Sequence, residues 1–374
     1  MQKTVKHSLF LIPGIVLLGA VLRIPITTIP PVLDSIAKGL HVPVSSLGIL
    51  TTLPLLAFAI FSPVAPWVAR KLGNEGAFAA VLVLMIVGSI IRIISTPMMF
   101  LGTLLVGIGI AFMNVLLPTL ISANFPTKVG LYTSVYVFTM GLTTAGASAL
   151  AVPIVKATSW QTLIIILTIA VVIALIVWLP NLKYNQRATR NSASKAPKVP
   201  SAWKNKTAWL MLVFAGIQSA IFYTSIAWLP TIATGFGLSG SMAGLLAGIN
   251  ALVTLPVSFL VPNFVTGWNK KNRQIFLIVA SAFAAISYIM IFFGNASFGF
   301  WLVLNILNGL ATGSLFPYLM ASLSNKTKNP YETSELSGMV NSGGYLIAAI
   351  GPALFGTAYS AFHSCHRIHK SSSS

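Results

Sequence analysis

AVLRIPITTIPPVLDSI, residues 20–36, sets one arginine, two threonines and three prolines inside a long apolar run. A helix facing water would not be this poor in charge, and a helix facing only lipid would not carry Arg23. A charge at the bilayer centre costs about 2.5–3.5 kcal/mol on insertion scales, so such residues usually face a bundle interior or a wet cavity. Prolines free backbone carbonyls, which are tolerated at membrane depth where protein or water satisfies them. The stretch therefore reads as a membrane helix lining a polar route.

The rest of the chain agrees. Of 374 residues, 56% are hydrophobic and 7% charged, against roughly 25% charged in a soluble domain, and mean hydropathy is +0.88. Apolar runs fall at about 8–36, 44–68, 76–95, 97–124, 130–154, 160–180, 207–232, 240–266, 274–294, 297–323 and 334–358. Each can span a hydrocarbon core of about 30 Å. The first is too long and polar for a cleaved signal peptide. Eleven membrane helices are expected, and the single Cys365 excludes an internal disulfide framework.

The net charge of +19 is a topology signal. With the N-terminus inside, seventeen Lys and Arg fall on one side, in the N-terminal segment, the short loops and segment 181–206, and only Lys38 and Lys156 on the other. Such a bias puts the N-terminus in the cytoplasm, so no nucleic-acid partner is expected. The tail AFHSCHRIHKSSSS breaks the rule with Arg367 and Lys370. It reads as the place of a lost twelfth helix. The alternative, a metal site from His363, Cys365, His366 and His369, matches no defined ligand spacing.

Segment 181–206 is polar and basic and reads as a cytoplasmic linker between an N-terminal bundle of six helices (1–180) and a C-terminal one of five (207–358), with 359–374 as an atypical polar tail. Four proline pairs recur at a separation of 199 residues: Pro31 and Pro230, Pro63 and Pro262, Pro118 and Pro317, Pro153 and Pro352. That offset supports a parallel duplication, the arrangement of major facilitator halves. The loop APWVARKLGNEG resembles the superfamily's Gly-x-x-x-Asp-Arg-x-Gly-Arg signature at Arg70 and Gly73, with Ala65 and Ala69 in place of the glycine and the acid. The resemblance implies a gating loop on the inner side, and the missing acid puts its latch in question. In NSGGYLIAAIGPALFG the glycines Gly343, Gly344, Gly351 and Gly356 suit close helix contact.

Arg23 lies about 14 residues into its run, about 21 Å from the inner end. Helical spacing puts Gly19, Arg23, Thr27 and Pro30 or Pro31 on one face, which should line the cavity; a snorkelling Arg23 is the competing reading. Arg92, near the outer end of the third run, is expected to snorkel. Gln218, Asn250, Asn308 and Tyr345 come out near the midplane, each equally able to serve as interhelical glue. Tyr223 and Trp228 would bound the outer mouth, although belt anchoring explains Trp228 as well.

LRIPITTIPPVL, GIGIAFMNVLLPTLISANFP (with Asn114), GIQSAIFYTSIAWLP and the arginine of SIIRII together resemble the cyanate permease-like branch of the major facilitator superfamily over about residues 8–358. The resemblance implies an all-α integral membrane fold of two six-helix bundles, here with eleven helices. It also implies a bacterial inner-membrane transporter of small anions such as cyanate, or of compounds such as nitroimidazoles. The substrate-binding set expected is Arg23, Thr27, Asn114, Gln218, Tyr223, Trp228, Asn250, Asn308 and Tyr345. The partners expected are a small solute and membrane lipid; oligomeric state is open. No cofactor is expected.

The only acids, Asp34, Glu75, Glu332 and Glu335, fall near helix ends, so no midplane carboxylate carries a coupling proton, and the coupling ion stays open. The runs contain no histidine or cysteine and no paired acids, which argues against a membrane-embedded enzyme. No Walker loop occurs, so ATP-driven transport is not expected. A transport-inactive sensor or truncated remnant is the alternative function.

Overall fold

The computed structural model describes residues 8–43, 47, 49–185 and 201–371, with backbone alone at 51, 227 and 351–371. Every regular element among the described residues is helical, as buried backbone in lipid requires. The first run becomes α1 (Leu11–Val21), α2 (Ile24–Thr27), a 3-10 turn at Pro30–Val32 and α3 (Leu33–Leu40). The second becomes α4 (Ile49–Phe61), a 3-10 turn at Ser62–Val64 and α5 (Ala65–Leu72). Then follow α6 (Asn74–Ile91), α7 (Thr96–Asn124), α8 (Val129–Ala157) and α9 (Trp160–Trp178). Most of the expected linker, residues 186–200, lies outside the described residues; after it come α10 (Lys206–Gly235), α11 (Gly240–Gly267), α12 (Lys270–Ile291), α13 (Phe298–Asn325) and α14 (Pro330–Ser371).

Ten spans among the described residues are long and apolar enough to cross a membrane. The eleventh expected run lies on α14, whose side chains are described only up to 350. The backbone of α14 stays helical to Ser371, past the apolar run's end near 358; the tail's candidate metal ligands lie outside the described side chains. Polar caps fix several starts, with Ser159, Ser239 and Asn269 accepting from Thr162, Met242 and Asn272 N–H. At α14, Asn329 Oδ1 accepts from Glu332 N–H while Glu332 accepts from Lys328 N–H. The four proline pairs fall on spans one and seven, two and eight, four and ten, and five and eleven. The close contact expected of the last span is present at Gly343 and Gly344, whereas Gly351 and Gly356 lie outside the described side chains. A Cβ on Gly343 would strike Leu212 and one on Gly344 would meet Ala215 at 2.9 Å, so α14 lies tightly against α10.

The first span breaks at Arg23, whose φ of −125° leaves the helical region. Three prolines cause this. Pro25, Pro30 and Pro31 have no N–H for the carbonyls of Val21, Ile26 and Thr27. The backbone tightens instead: Ile26 and Thr27 N–H both donate to Arg23 O, and Ile29 N–H to Ile26 O. The last shift orphans the carbonyl of Pro25. Side chains from neighbouring helices take up the slack. Thr143 Oγ1 donates to Ala20 O at 2.9 Å, Ser148 Oγ to Thr27 O at 3.4 Å, and Arg92 Nη1 to Pro25 O at 2.8 Å. The snorkelling expected of Arg92 is therefore corrected. Its side chain is 1% exposed and turned inward onto the broken helix.

The face expected to run from Gly19 through Arg23 to Thr27 is corrected at Gly19, which faces the backbone of Tyr136 on α8. Thr27 keeps its helical relation to Arg23, donating to Arg23 O through both N–H and Oγ1. The i, i+4 rule assumes a continuous helix, and this one ends at Val21.

Candidate functional site

A cavity of about 250 Å³ lies between the two groups of helices, just below the roughly 300–1,000 Å³ of drug-sized sites. Its wall comes from α8 (Thr144, Ser148), α10 (Gln218 to Ala233), α11 (Ala243 to Ser258), α13 (Asn305 to Pro317) and Arg23. Arg23 is half-buried. Its guanidinium carbon lies 4.9 Å from the ring centre of Phe222 and 4.8 Å from that of Phe316. The rings of Tyr223 and Tyr345 stand 6.5 Å apart beside this group. Arg23, carried by the first span, thus meets side chains from two helices of the second group. Each aromatic face contributes about 0.5–2 kcal/mol toward holding the cation, and none offers a formal counter-charge.

The opposite wall is an amide network. Asn250 Nδ2 donates to Asn305 O at 3.0 Å and to Asn308 Oδ1 at 3.2 Å. Asn308 Nδ2 donates to Ser225 Oγ at 3.0 Å and to Ser287 Oγ at 3.5 Å. Ser225 is joined to Tyr288, whose hydroxyl donates to Ile221 O. A backbone carbonyl only accepts, so Asn305 O fixes which atom of Asn250 is nitrogen. Gln218 is fixed likewise, with Nε2 on Ala215 O at 3.2 Å and Ser219 Oγ at 2.6 Å. Both amides use their hydrogens within the protein. Toward a solute, Asn250 and Gln218 offer acceptors, and Arg23 offers donors and charge.

Of the residues expected at the site, Arg23, Gln218, Tyr223, Asn250 and Asn308 line the cavity. Thr27, Asn114, Trp228 and Tyr345 are not in its wall. Asn114 is 3% exposed within α7, where every residue from Gly109 to Ile121 is buried, so depth there does not mean cavity. Trp228 packs on the apolar group of Leu229, Ile232 and Trp301. Tyr345 is 3% exposed and stands behind the wall against Phe58, with ring centres 4.7 Å apart. Phe222, Phe316, Thr144, Ser148, Asn305 and Thr312 were missed. The α8 pair was legible as Gly141, Thr144 and Ser148, small residues three and four apart.

The end of the bundle that carries the basic loops is sealed by contacts between the groups. Arg70 on α5 forms an ion pair with Glu335 on α14. Ser324 Oγ donates to Pro118 O at 3.0 Å, Ser342 Oγ donates to Ala59 O, and Ser122 and Thr333 hydroxyls lie 3.4 Å apart. The acid absent from the loop is supplied across the interface. Gly73 has φ +80° and ψ 163°, a region left-handed enough to favour glycine. A Cβ there would also strike Asn185, which donates to Leu72 O. The cavity instead reaches toward the turn at Gly237, through Leu229, Pro230 and Ala233 on α10 and Ala243 on α11. Among the described residues no three His, Cys, Asp or Glu side chains cluster as metal ligands would.

The profile of the Major Facilitator Superfamily matches residues 15–352. A 2-nitroimidazole transporter of Escherichia coli (strain K12) is 35% identical, over 95% of this chain and 90% of its own length. An uncharacterized transporter of Bacillus subtilis (strain 168) is 34% identical, over 96% of this chain and 88% of its own. Among solved structures, a proton:xylose symporter bound to 6-bromo-6-deoxy-D-glucose superposes with a TM-score of 0.73 at 15% identity, covering 94% of this chain and 90% of that one.

Proposed function

This chain belongs to the major facilitator superfamily and is a multi-pass membrane transporter of the secondary class, and we propose that it carries a small anion, or a small heterocycle with an anionic or nitro end, by alternating access. The observation carrying this reading is Arg23: a guanidinium on the cavity wall, held by two ring faces and met by no carboxylate. In a site of lowered dielectric, an unscreened cation attracts an anion far more strongly than it would in water. The amide oxygens of Asn250 and Gln218 then favour a solute with an N–H at its other end. A five-membered heterocycle with an acidic or nitro group fits that pattern, as does the size of the cavity. The 35% identical relative named for 2-nitroimidazole supports the same class.

The basic loops support a cytoplasmic N-terminus. In that orientation the sealed end faces inward and the cavity faces outward. The Arg70–Glu335 pair then acts as a latch that must open for release.

The test is uptake of labelled 2-nitroimidazole and labelled cyanate by proteoliposomes, with thermal unfolding as a binding readout. A ligand at 100 times its Kd stabilises by about 2.7 kcal/mol. Wild type is expected to take up or bind at least one probe, and Arg23→Ala neither, with its fold intact. An Arg23→Ala protein that transports normally removes Arg23 from the route.

A further inference from the structure

The chain has four carboxylates, and none meets Arg23. Asp34 is exposed on the first turn of α3, and Glu75 lies on the first turn of α6. Glu332 caps α14, and Glu335 pairs with Arg70. The cavity wall contains no Asp, Glu, His or Lys. The neighbours of the guanidinium are the ring faces of Phe222 and Phe316, both without formal charge.

An open cavity lets water hydrate Arg23. Passage to the other orientation requires the walls to close over it, and a bare guanidinium then loses that water with no charge to replace it. Arg92 is no counterexample. It is bonded to Pro25 inside its own group of helices and moves with them, so its burial weighs equally on both orientations. Of these two arginines, Arg23 alone meets the other group of helices and changes surroundings when the groups move.

We propose that the protein is an exchanger: it crosses between its two faces only with an anion on Arg23, so one anion enters for each that leaves. This rests on the reading that Arg23 takes the solute. A bare arginine near the bilayer centre is penalised enough to slow an empty crossing roughly 100-fold. One monoanion cancels one guanidinium, so the loaded site crosses neutral and exchange is insensitive to an imposed membrane potential.

Two arms test this separately. The first needs no solute. In a Cys365→Ser background, Thr333→Cys places a thiol at the sealed end, where Thr333 is fully buried, so it alkylates only when that end opens. In nanodiscs in gluconate buffer it is expected to react slowly, and at least tenfold faster when Arg23→Leu is added. Equal rates with and without Arg23 overturn the lock. An Arg23→Gln companion, which keeps polarity without charge, should also react faster; if only the leucine variant does, polarity rather than charge sets the barrier and the proposal falls. The second arm compares uptake of labelled 2-nitroimidazole, above the pH at which it ionises, into vesicles holding unlabelled 2-nitroimidazole or gluconate alone. Uptake roughly 100-fold faster into the preloaded vesicles supports exchange. Equal uptake overturns it while leaving the transport reading intact. No uptake in either counts against the solute class, and the thiol rates then decide the lock by themselves.

Discussion

Replacing Arg92 should weaken solute binding by a route separate from any change in stability, and the two effects can be weighed from its contacts. Its Nη1 donates to the carbonyl of Pro25, which Ile29 N–H leaves for Ile26 O, while Nε and Nη2 are buried with no hydrogen-bond partner. Arg92→Leu removes a charge-assisted hydrogen bond of about 1.5–3 kcal/mol. It also removes a buried cation whose desolvation costs several kcal/mol. These terms oppose each other, so the net change in unfolding free energy should stay within about 2 kcal/mol. Position is another matter. Without Arg92, Pro25 O has nothing to hold it, and Arg23, two residues away, loses the anchor of its turn. Loss of even the lower bound of that bond, expressed as misplacement of the guanidinium, raises the Kd for an anionic probe about tenfold. Arg92→Lys keeps a donor for Pro25 O and should restore most of the affinity. The assay is thermal stabilisation by 2-nitroimidazole across a concentration series for wild type, Arg92→Leu and Arg92→Lys, beside unfolding without ligand. Equal loss of affinity in both variants together with a large fall in Tm would reduce Arg92 to a packing element. Unchanged affinity in Arg92→Leu would sink the positioning argument outright.

Glu335→Gln removes the carboxylate from the Arg70 pair. Both groups are partly exposed, so the pair contributes about 0–1 kcal/mol, and opening of the sealed end, read by alkylation of Thr333→Cys, should rise by at most about fivefold. No rise at all would deny it the role of a latch. Gly73→Ala puts a Cβ where φ is +80° and Asn185 already sits. It should lower stability by about 1–3 kcal/mol, seen as a reduced Tm, and an unchanged Tm would mean the loop relaxes freely.

The membrane class, ten of the eleven expected spans and the arginine of the first span were legible because each rests on a strong local signal. Long apolar runs have few soluble interpretations, and the proline spacing survives folding as pairs of spans matched in order between the two halves. What failed was helical phase. Gly19 was assigned to the face of Arg23 by a rule valid for continuous helices, yet the helix breaks between them, ahead of Pro25. Depth failed for a different reason. Asn114 sits at the right level, but α7 is buried on all sides, and nothing in a single helix tells a cavity face from a helix–helix face. Phe222 and Phe316 were missed because a phenylalanine in a membrane helix carries no sign that a cation lies over its ring. Their role exists only after two distant segments meet.

The division of chemistry across the cavity bears on how a solute would move the protein. Donors and charge come from the first group of helices through Arg23, and acceptors come from the second through Gln218 and Asn250. The Asn250–Asn308–Ser225–Tyr288 chain ties α10, α11, α12 and α13 together, so the acceptors form a stiff wall. Arg23 instead stands at a helix break, steadied by Arg92. A solute held by only one wall gives the halves no reason to approach. One that engages both, with its negative end on Arg23 and an N–H on an amide oxygen, makes more contacts as the gap narrows, and a ligand shifts an equilibrium only by its differential affinity for the two states. A small anion without a donor, such as cyanate, should therefore bind Arg23 yet drive closure less well than a heterocycle with an N–H. Protection of a thiol at Ala247→Cys, an exposed residue of the cavity wall, would separate them: saturating imidazole-2-carboxylate, an anion that keeps an N–H, should slow its alkylation more than saturating cyanate. Equal protection would mean that charge neutralisation alone closes the site and the amide wall has no part in it.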